Sequence, residues 1–196
     1  MHAPKPANDW PMTESSLRLV DDDLEVERAR TDPAAFATLY ERYVTPVWRM
    51  CLRASGDATQ ADDLTATVFL KAFERLNRYQ PQGPGSFRSW LYAIALNVVR
   101  DEWRKTKRLT PLPDFDVAVD DGPGPEEIAL HRITLAEVRD VLTTLNDRHR
   151  SIVELRLSGL STPEIAETLD MSISAVKSAQ KRAYATIREC VKGDQL

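Results

Sequence analysis

Residues that build reactive or cross-linked sites are scarce in this 196-residue chain, which has 2 cysteines, 3 histidines and 7 glycines. Cys51 and Cys190 lie far apart, each inside an apolar helical pattern, which excludes a disulfide framework or a zinc site built from them. The histidines are scattered, and no HExxH, GxSxG or phosphate-loop glycine pattern occurs. The sequence therefore offers no catalytic residue, metal site or cofactor site, and we expect a protein that is not an enzyme.

Long apolar runs are also lacking. No stretch approaches the roughly 18 residues that a membrane span needs, and the N-terminal residues lack the basic start and apolar stretch of a secretory signal. Hydrophobic residues make up 42% of the chain and include 4 Trp, 5 Tyr and 5 Phe, which is enough to build a core. We therefore expect a cytoplasmic protein without membrane insertion, folded as one domain or two small ones.

Positive charge is in deficit overall, since the net charge is −4, but the charges are unevenly placed. Residues 33–108 carry 12 basic and 7 acidic side chains, and residues 128–196 carry 10 basic and 9 acidic ones. Residues 1–32 carry 4 basic and 8 acidic side chains, and residues 109–127 carry 6 acidic side chains and no Lys or Arg. A local basic surface can therefore bind phosphates despite the acidic total.

Apolar residues recur at helical spacings of three and four in two parts of the chain, and no stretch alternates as a half-buried strand does. Asp32-Pro33 starts the first helix and Gly56 ends it. Asp57 with Gln60 resembles a capping box for the next helix, and Ser86 can cap a third. We predict an all-α fold with a first block of helices over 32–106 and a second block of four short helices over 128–192.

Two acidic segments lack this helical spacing. Residues 107–127 contain four prolines and two glycines, so they are predicted to form a flexible linker that cannot bury enough apolar surface to offset its chain entropy. Residues 1–31 are predicted to be an acidic, disordered N-terminal extension.

The end of the second block has the pattern of a helix-turn-helix. Ser161 with Glu164 forms a capping box for a short helix, Asp170-Met171 makes a tight turn, and Ser172 caps a longer helix. That last helix begins with small or polar side chains and continues with basic ones, which suits contact with base edges and phosphates. The alternative is an ordinary helical hairpin with a solvated polar face.

The third helix of the first block combines basic and aromatic side chains. Five Lys or Arg residues lie between positions 100 and 108, which is more than a helix dipole requires. Aromatic side chains beside a basic track are how unpaired bases of a single strand are held. Phe87, Trp90 and Leu91 are also spaced as core residues, so simple packing remains the alternative for any single aromatic here.

Taken in order, these segments resemble the extracytoplasmic-function (ECF) group of bacterial sigma factors, in the sigma-70 family. The resemblance runs from about Asp32 to Val191 and rests on DPAAFATLYERYV, ADDLTATVFLKAFERLNRY, GSFRSWLYAIALNVVRDEWRKTKR and LTTLNDRHRSIVELRLSGLSTPEIAETLDMSISAVKSAQKRAYATIREC. The first three stretches are similar to region 2 of the family and the last to region 4. The resemblance implies an alternative sigma factor that binds core RNA polymerase, recognises the −35 and −10 promoter elements and helps to melt the promoter DNA.

The resemblance also implies where each partner binds. Residues implied to dock on the clamp helices of the polymerase β′ subunit are Asp62, Asp63, Leu64, Thr67, Val68, Phe69 and Lys71. Residues implied to bind the −10 element, together with the loop around Gln80–Ser86, are Phe87, Trp90, Asn97, Arg100, Trp103, Arg104 and Lys105. Residues implied to bind the −35 element, in a domain that packs on the β flap, are Ser172, Ser174, Ala175, Lys177, Ser178, Lys181 and Arg182. The linker would run toward the RNA exit channel, and an anti-sigma factor is an implied inhibitor.

The chain departs from the family pattern at three places. Ala66-Thr67 stands where members often have Gln-Glu, so the docking surface has one acid fewer unless Thr65 or Thr67 is phosphorylated. Asp170 stands at a turn position that is usually Gly, and Asp tolerates a positive φ better than most residues. Ala179-Gln180 replaces a frequent Arg-Leu in the recognition helix, so the promoter sequence does not transfer from relatives.

Two other classes of function remain as alternatives. The first is a two-domain transcriptional regulator that binds duplex operator DNA through residues 161–188 and senses or dimerises through residues 33–105, without being a polymerase subunit. The second is an adaptor that binds a protein partner through its apolar helix faces and needs no DNA.

Overall fold

The computed structural model describes residues 22–82, 85–109 and 136–193, and over these ranges the chain is helical without a strand. The all-α prediction is therefore confirmed. The helices are α1 Asp22–Thr31, α2 Phe36–Ser55, α3 Ala58–Arg75, α4 Ser86–Leu109, α5 136–143, α6 Asp147–Leu157, α7 Thr162–Thr168 and α8 Ile173–Gly193. Short 3-10 turns, Pro33–Ala35 and Leu76–Arg78, precede α2 and follow α3. Within the described ranges, no helix has the length and apolar character needed to cross a bilayer.

Helix α1 corrects one prediction. A disordered extension was expected over residues 1–31, but residues 22–31 form α1, while residues 1–21 lie outside the described residues. Val26 and Ala29 are buried on one side of α1, and the buried Asp22 carboxylate accepts hydrogen bonds from the Tyr43 hydroxyl and the Arg42 guanidinium. The high acidic content concealed this short apolar stripe. Acidic residues in the first turn also suit the positive end of the helix dipole.

The predicted helix boundaries of the first block follow local backbone chemistry. The Asp32 carboxylate accepts a hydrogen bond from the Ala34 amide at 3.0 Å, and α2 ends at Gly56, whose φ is +79°. The Asp57 carboxylate caps α3 by accepting from the Gln60 amide at 2.7 Å. A complete capping box would also need the Gln60 side chain to bond back to the start of α3. Among the described contacts, this side chain instead donates to Glu102 of α4 at 2.7 Å.

Helices α2, α3 and α4 pack around one apolar core. Its fully buried members include Leu39, Met50, Val68 and Leu91. Helix α4 continues to Leu109, three residues beyond the predicted end of the first block at 106, and residues 110–127 of the predicted linker lie outside the described residues. Packing against this core fixes the orientation of α3 and α4, so that one side of each helix faces the apolar interior and the other side faces away from it.

The second block contains the predicted helix-turn-helix, formed by α7, the turn at 169–172 and α8. The Ser161 amide donates to the Glu164 carboxylate at 2.7 Å, and the Ser161 hydroxyl accepts from the Glu164 amide at 3.4 Å, which confirms this capping box. Asp170 has a φ of +50°, as the turn pattern predicted. Val176, Ala179 and Ala183 of α8 are buried, so their helix face packs inward.

The two blocks are in direct contact. Apolar side chains of α6 to α8, including Ile152, Leu155 and Ile165, belong to the same buried cluster as the core of the first block. Helix α4 packs against α7 and α6. The sequence indicated two separate helical units, and nothing in its spacing predicted this contact.

Candidate nucleic-acid and polymerase interfaces

The residues expected to dock on polymerase divide between two sides of α3. Asp62 and Asp63 are exposed, and Leu64, Thr67 and Lys71 are half-buried. Val68 and Phe69 are buried in the core, so they can support this surface from beneath but do not lie on it. The Trp48 indole N–H donates to the Asp62 carboxylate at 2.7 Å, which fixes the position of this acid on the surface. The surface is therefore acidic, with its apolar support directly below.

Three exposed apolar side chains on α2 and α3 were missed by sequence reasoning. Leu70 is 59% exposed, Phe73 43% and Tyr40 42%. The Tyr40 ring packs edge-on against Phe69, with 4.8 Å between centroids. The sequence does hold a clue, because Leu70 and Phe73 fall outside the three-and-four spacing of the buried residues Ala61, Val68 and Ala72. Exposed apolar groups on the helix that also carries Asp62 and Asp63 are typical of a protein-binding surface.

The expected phosphorylation sites differ in accessibility. Thr65 is buried and its hydroxyl donates to the Ala61 carbonyl oxygen at 2.7 Å, so a phosphate cannot be added there without disrupting α3. Thr67 is half-buried and its hydroxyl donates to the Asp63 carbonyl oxygen at 2.8 Å. Only the second site lies at the surface beside the acidic pair.

The loop expected to take part in −10 binding is closed by a hydrogen bond between its two ends. The hydroxyl groups of Tyr79 and Ser86 lie 2.5 Å apart, and the Ser86 hydroxyl also accepts from the Gln82 amide at 3.0 Å. The Arg30 guanidinium of α1 donates to the Tyr79 carbonyl oxygen. Burial raises the pKa of the Tyr79 phenol to about 12. Tyr79 was not among the predicted site residues, because a single aromatic residue before a polar loop does not indicate a binding role from the sequence alone.

A cavity of about 430 Å³ lies between this loop and α4. Trp90 lines it and is half-buried, whereas the neighbouring Phe87 is only 1% exposed and packs against Tyr79 and Tyr43. The lining residues are Arg78, Tyr79, Gln80, Gln82, Ser86, Ser89, Trp90, Ala93, Glu167 and Thr168. An aromatic wall with amide and hydroxyl groups around it suits an unstacked base. Phe87 supports this wall from the core side.

The remaining predicted −10 residues lie along α4 in two groups. Asn97, Arg104 and Lys105 are exposed, and Arg104 pairs with Asp101 at 3.0 Å. Arg100 and Trp103 face the second block instead: the Arg100 guanidinium donates to the Ser151 hydroxyl at 2.9 Å and 3.1 Å, and Trp103 is buried. The structure therefore places the predicted residues on two neighbouring sides of one helix.

The predicted −35 residues share the exposed start of α8. Ser172, Ser174, Lys177, Ser178, Lys181 and Arg182 are exposed, and Ala175 is half-buried. The Ser172 hydroxyl caps the helix by accepting from the Ala175 amide at 3.2 Å. A depression of about 600 Å³ beside them is also lined by Arg148 and His149 of α6, which sequence reasoning missed because they come from another helix.

The described residues contain no group of three or more His, Cys, Asp or Glu side chains placed to hold a metal ion. Cys51 is buried, and burial raises the pKa of its thiol to about 11, which suits an unreactive core thiol.

Comparison with known proteins gives a consistent set of relatives. The family model described as Sigma-70 region 2 matches residues 39–109, and the one described as Sigma-70, region 4 matches residues 135–187. The ECF RNA polymerase sigma factor BldN of Streptomyces coelicolor is 32% identical over 173 residues, covering 86% of this chain and 65% of BldN. The chain thus spans somewhat less than two thirds of that relative's length.

Two further relatives match over nearly their whole length. The RNA polymerase sigma factor NccH of Alcaligenes xylosoxydans xylosoxydans is 30% identical over 183 residues, covering 90% of this chain and 97% of NccH. Among solved structures, CnrH in complex with the cytosolic domain of CnrY superposes with a TM-score of 0.69 and 27% sequence identity, covering 89% of this chain and 98% of that one.

Proposed function

The chain belongs to the ECF group of the sigma-70 family, and we propose that it is a promoter-specificity subunit of bacterial RNA polymerase. In this proposal, α3 docks on the β′ clamp helices, α4 and the loop at 80–86 hold the −10 element, and the helix-turn-helix reads the −35 element while its block packs on the β flap. The protein acts in the cytoplasm, where core polymerase and promoter DNA are found.

The exposed start of α8 is the observation that carries the proposal. Six of the seven predicted −35 residues are exposed on one end of one helix, with Arg148 beside them and the apolar face of α8 buried. Short polar groups can reach base edges in the major groove, while Lys181 and Arg182 are placed for phosphates. This division of base and phosphate contacts is what a recognition helix requires.

The cavity at Trp90 supports the −10 part of the proposal. Its aromatic wall and the polar groups that the first block supplies, including Gln80, Gln82 and Ser86, suit one captured base, and the exposed Arg104 and Lys105 lie further along the same helix for the strand's phosphates. The free energy for opening the duplex then comes from neutralising phosphates and capturing bases. Each block alone offers few contacts, so the free chain is expected to bind promoter DNA weakly until polymerase fixes both blocks.

An anti-sigma factor is the proposed inhibitory partner. CnrH, which superposes on most of this chain, is described in complex with the cytosolic domain of CnrY. The exposed apolar side chains Tyr40, Leu70 and Phe73 of α2 and α3 give a protein partner a surface on the first block.

The deciding experiment is co-elution and transcription with purified core polymerase. The chain is mixed with core enzyme, passed over a sizing column, and tested for transcript starts on sheared genomic DNA of the host. Co-elution with discrete new starts supports the proposal. Footprints on a palindromic duplex without polymerase, and no transcript starts, would instead favour the two-domain regulator, while no effect on DNA at all would favour the adaptor.

A further inference from the structure

Helix α1 contacts the residue that precedes the loop at 80–86. The Arg30 guanidinium, near the end of α1, donates a hydrogen bond to the Tyr79 carbonyl oxygen, although the two residues are 49 positions apart. The Asp23 carboxylate, near the start of the same helix, accepts from the Tyr79 hydroxyl at 3.4 Å. Neither Arg30 nor Asp23 is proposed to touch polymerase or DNA. Both ends of α1 therefore hold one residue beside the candidate −10 cavity.

Tyr79 is engaged through each of its functional groups. Its backbone is extended, and its amide donates to the Leu76 carbonyl oxygen at 3.2 Å. Its ring centroid lies 5.0 Å from that of Trp90 and 5.7 Å from that of Phe87. Helix α1 supplies a partner for the two remaining groups, the carbonyl oxygen and the hydroxyl, so it limits how far Tyr79 can move.

The hydroxyl contacts form a chain that runs from the loop to α1. A carboxylate can only accept, so the Tyr79 hydroxyl donates to Asp23. The Ser86 hydroxyl, 2.5 Å from that of Tyr79, then donates to Tyr79 and accepts from the Gln82 amide at 3.0 Å. Consecutive hydrogen bonds therefore connect the backbone of the loop to a carboxylate on α1.

Helix α1 is itself anchored away from the loop. The buried Asp22 carboxylate accepts from Tyr43 and Arg42 of α2, and Val26 and Ala29 are buried in the core. A loop without support samples many conformations, and side chains carried by it are held less precisely than those on helices. An anchored helix that bonds to the edge of a loop removes part of this freedom.

The position of Tyr79 affects the shape of the candidate base cavity. Tyr79, Gln80, Gln82, Ser86 and Trp90 all line it. A shift of Tyr79 therefore moves the aromatic wall at Trp90 and, through Ser86, the opposite polar side. A cavity that already has its shape binds a base without the entropy cost of ordering its walls.

We propose that Arg30 and Asp23 are positioning residues that keep the cavity at Trp90 preformed, so that α1 takes part in selecting the captured base without touching DNA. This proposal rests on the proposed function, since it concerns the same cavity. Arg30 is poorly placed for a phosphate, because its side chain is only 22% exposed. One terminal nitrogen lies 2.7 Å from the Glu27 carboxylate, and the other donates to Tyr79.

The test compares Arg30→Gln with Arg28→Gln in holoenzyme assembled from the full chain and core polymerase. Each substitution removes one positive charge from α1 and one ion pair to a glutamate three positions earlier. Arg28 has 60% of its side chain exposed, and among the described contacts its guanidinium pairs with Glu25 of α1 alone. Arg28→Gln is therefore a control for charge and helix stability that leaves Tyr79 in place.

The probe is a pool of fluorescein-labelled, random-sequence single-stranded 12-mers, from which bound strands are recovered and sequenced. Wild-type holoenzyme is expected to enrich particular bases at the captured position. Arg30→Gln should lower the affinity for the enriched strands by about threefold or more and flatten the base preference at that position. Arg28→Gln should match wild type, and Arg30→Lys, which keeps a charge and a donor, should recover part of the preference. Core-polymerase affinity should be the same in all variants.

A double variant separates positioning from a general loss of stability. If Arg30 acts through the aromatic wall, Arg30→Gln should have little further effect in a Trp90→Ala background, so the two fold-changes do not multiply. Two independent defects would multiply. Circular dichroism checks helix content, and if Arg30→Gln loses it, Asp23→Ala removes the other contact of α1 and takes its place in both measurements.

Equal base preference in Arg30→Gln and Arg28→Gln, or fold-changes that multiply in the double variant, would overturn the positioning role. These results are separable from a failure of the proposed function. A holoenzyme that selects bases equally well in every variant refutes only the role of α1. A wild-type chain that never joins core polymerase refutes the sigma function, and a wild-type holoenzyme without any base preference refutes base capture and the role of α1 together.

Discussion

The guanidinium of Arg150 lies 4.0 Å from the centre of the Trp103 ring and joins the second block to the helix proposed to hold the −10 element. Both side chains are buried, and neither Trp103 Nε1 nor Arg150 Nε has a hydrogen-bond partner among the described residues. Burial lowers the pKa of Arg150. A cation held against an aromatic face contributes roughly 0.5–2 kcal/mol, with the upper value applying to desolvated groups such as these, so this contact helps to hold the two blocks together.

Lys181 and Ser174 are expected to contribute to promoter binding in different ways. Lys181→Ala should weaken binding of the holoenzyme about equally on all promoters and lower the salt dependence by about one phosphate contact. Ser174→Ala should change the preference among −35 sequences, with a change of about 1–3 kcal/mol in the discrimination between bases at the affected base pair. Competition binding to a library of −35 variants at two salt concentrations measures both. Equal loss on every sequence for both variants would contradict this division.

Asp62 is expected to contribute to polymerase affinity. Asp62→Ala removes an exposed charge and the acceptor of the Trp48 hydrogen bond, and should weaken core-polymerase binding about tenfold, or about 1.4 kcal/mol. Trp48→Phe removes the hydrogen bond but keeps the Asp62 charge. Comparing the two variants therefore separates the contribution of the charge from the contribution of its fixed position. Glu74→Ala, an exposed acid on the same helix, is the control. Titration of labelled core polymerase gives the affinities, and equal values for Asp62→Ala and Glu74→Ala would refute the role.

Local signals in the sequence were sufficient for the helix-turn-helix. The Ser161 and Glu164 box, the positive φ of Asp170 and the Ser172 cap each depend on residues within a few positions of one another. Such interactions are formed by neighbours along the chain, so spacing alone reveals them.

Contacts between distant residues could not be predicted in this way. Glu154 lies in a helix rich in polar residues, and its complete burial depends on Arg53, 101 positions earlier. Helix α3 is the opposite case, because the three-and-four spacing of Ala61, Val68 and Ala72 marks its buried side and leaves the exposed Leu70 and Phe73 outside it.

Trp90 is expected to stack on a base of the melted −10 strand. Trp90→Ala should weaken holoenzyme binding to single-stranded −10 DNA by about 1–3 kcal/mol, which is the usual contribution of one stacked base. Tyr184→Ala, an exposed aromatic of the second block, is the control and should leave this binding unchanged. Permanganate reactivity of the promoter at saturating holoenzyme reports the same loss as reduced opening. A Trp90→Ala enzyme that opens promoters normally would rule out the stacking role.

Tyr92 is expected to make the stability of the chain fall at high pH. It is fully buried, its hydroxyl donates to the Ser158 carbonyl oxygen across the block interface at 3.4 Å, and burial raises its pKa from about 10 to about 12. Because the folded state has the higher pKa, it holds the proton more tightly than the unfolded state does. This contribution to stability is complete below pH 10 and is lost as the pH rises from 10 to 12. Urea unfolding at several pH values, comparing wild type with Tyr92→Phe, should show a stability difference that changes across this window. A difference that stays constant with pH would mean that the Tyr92 phenol titrates alike in both states.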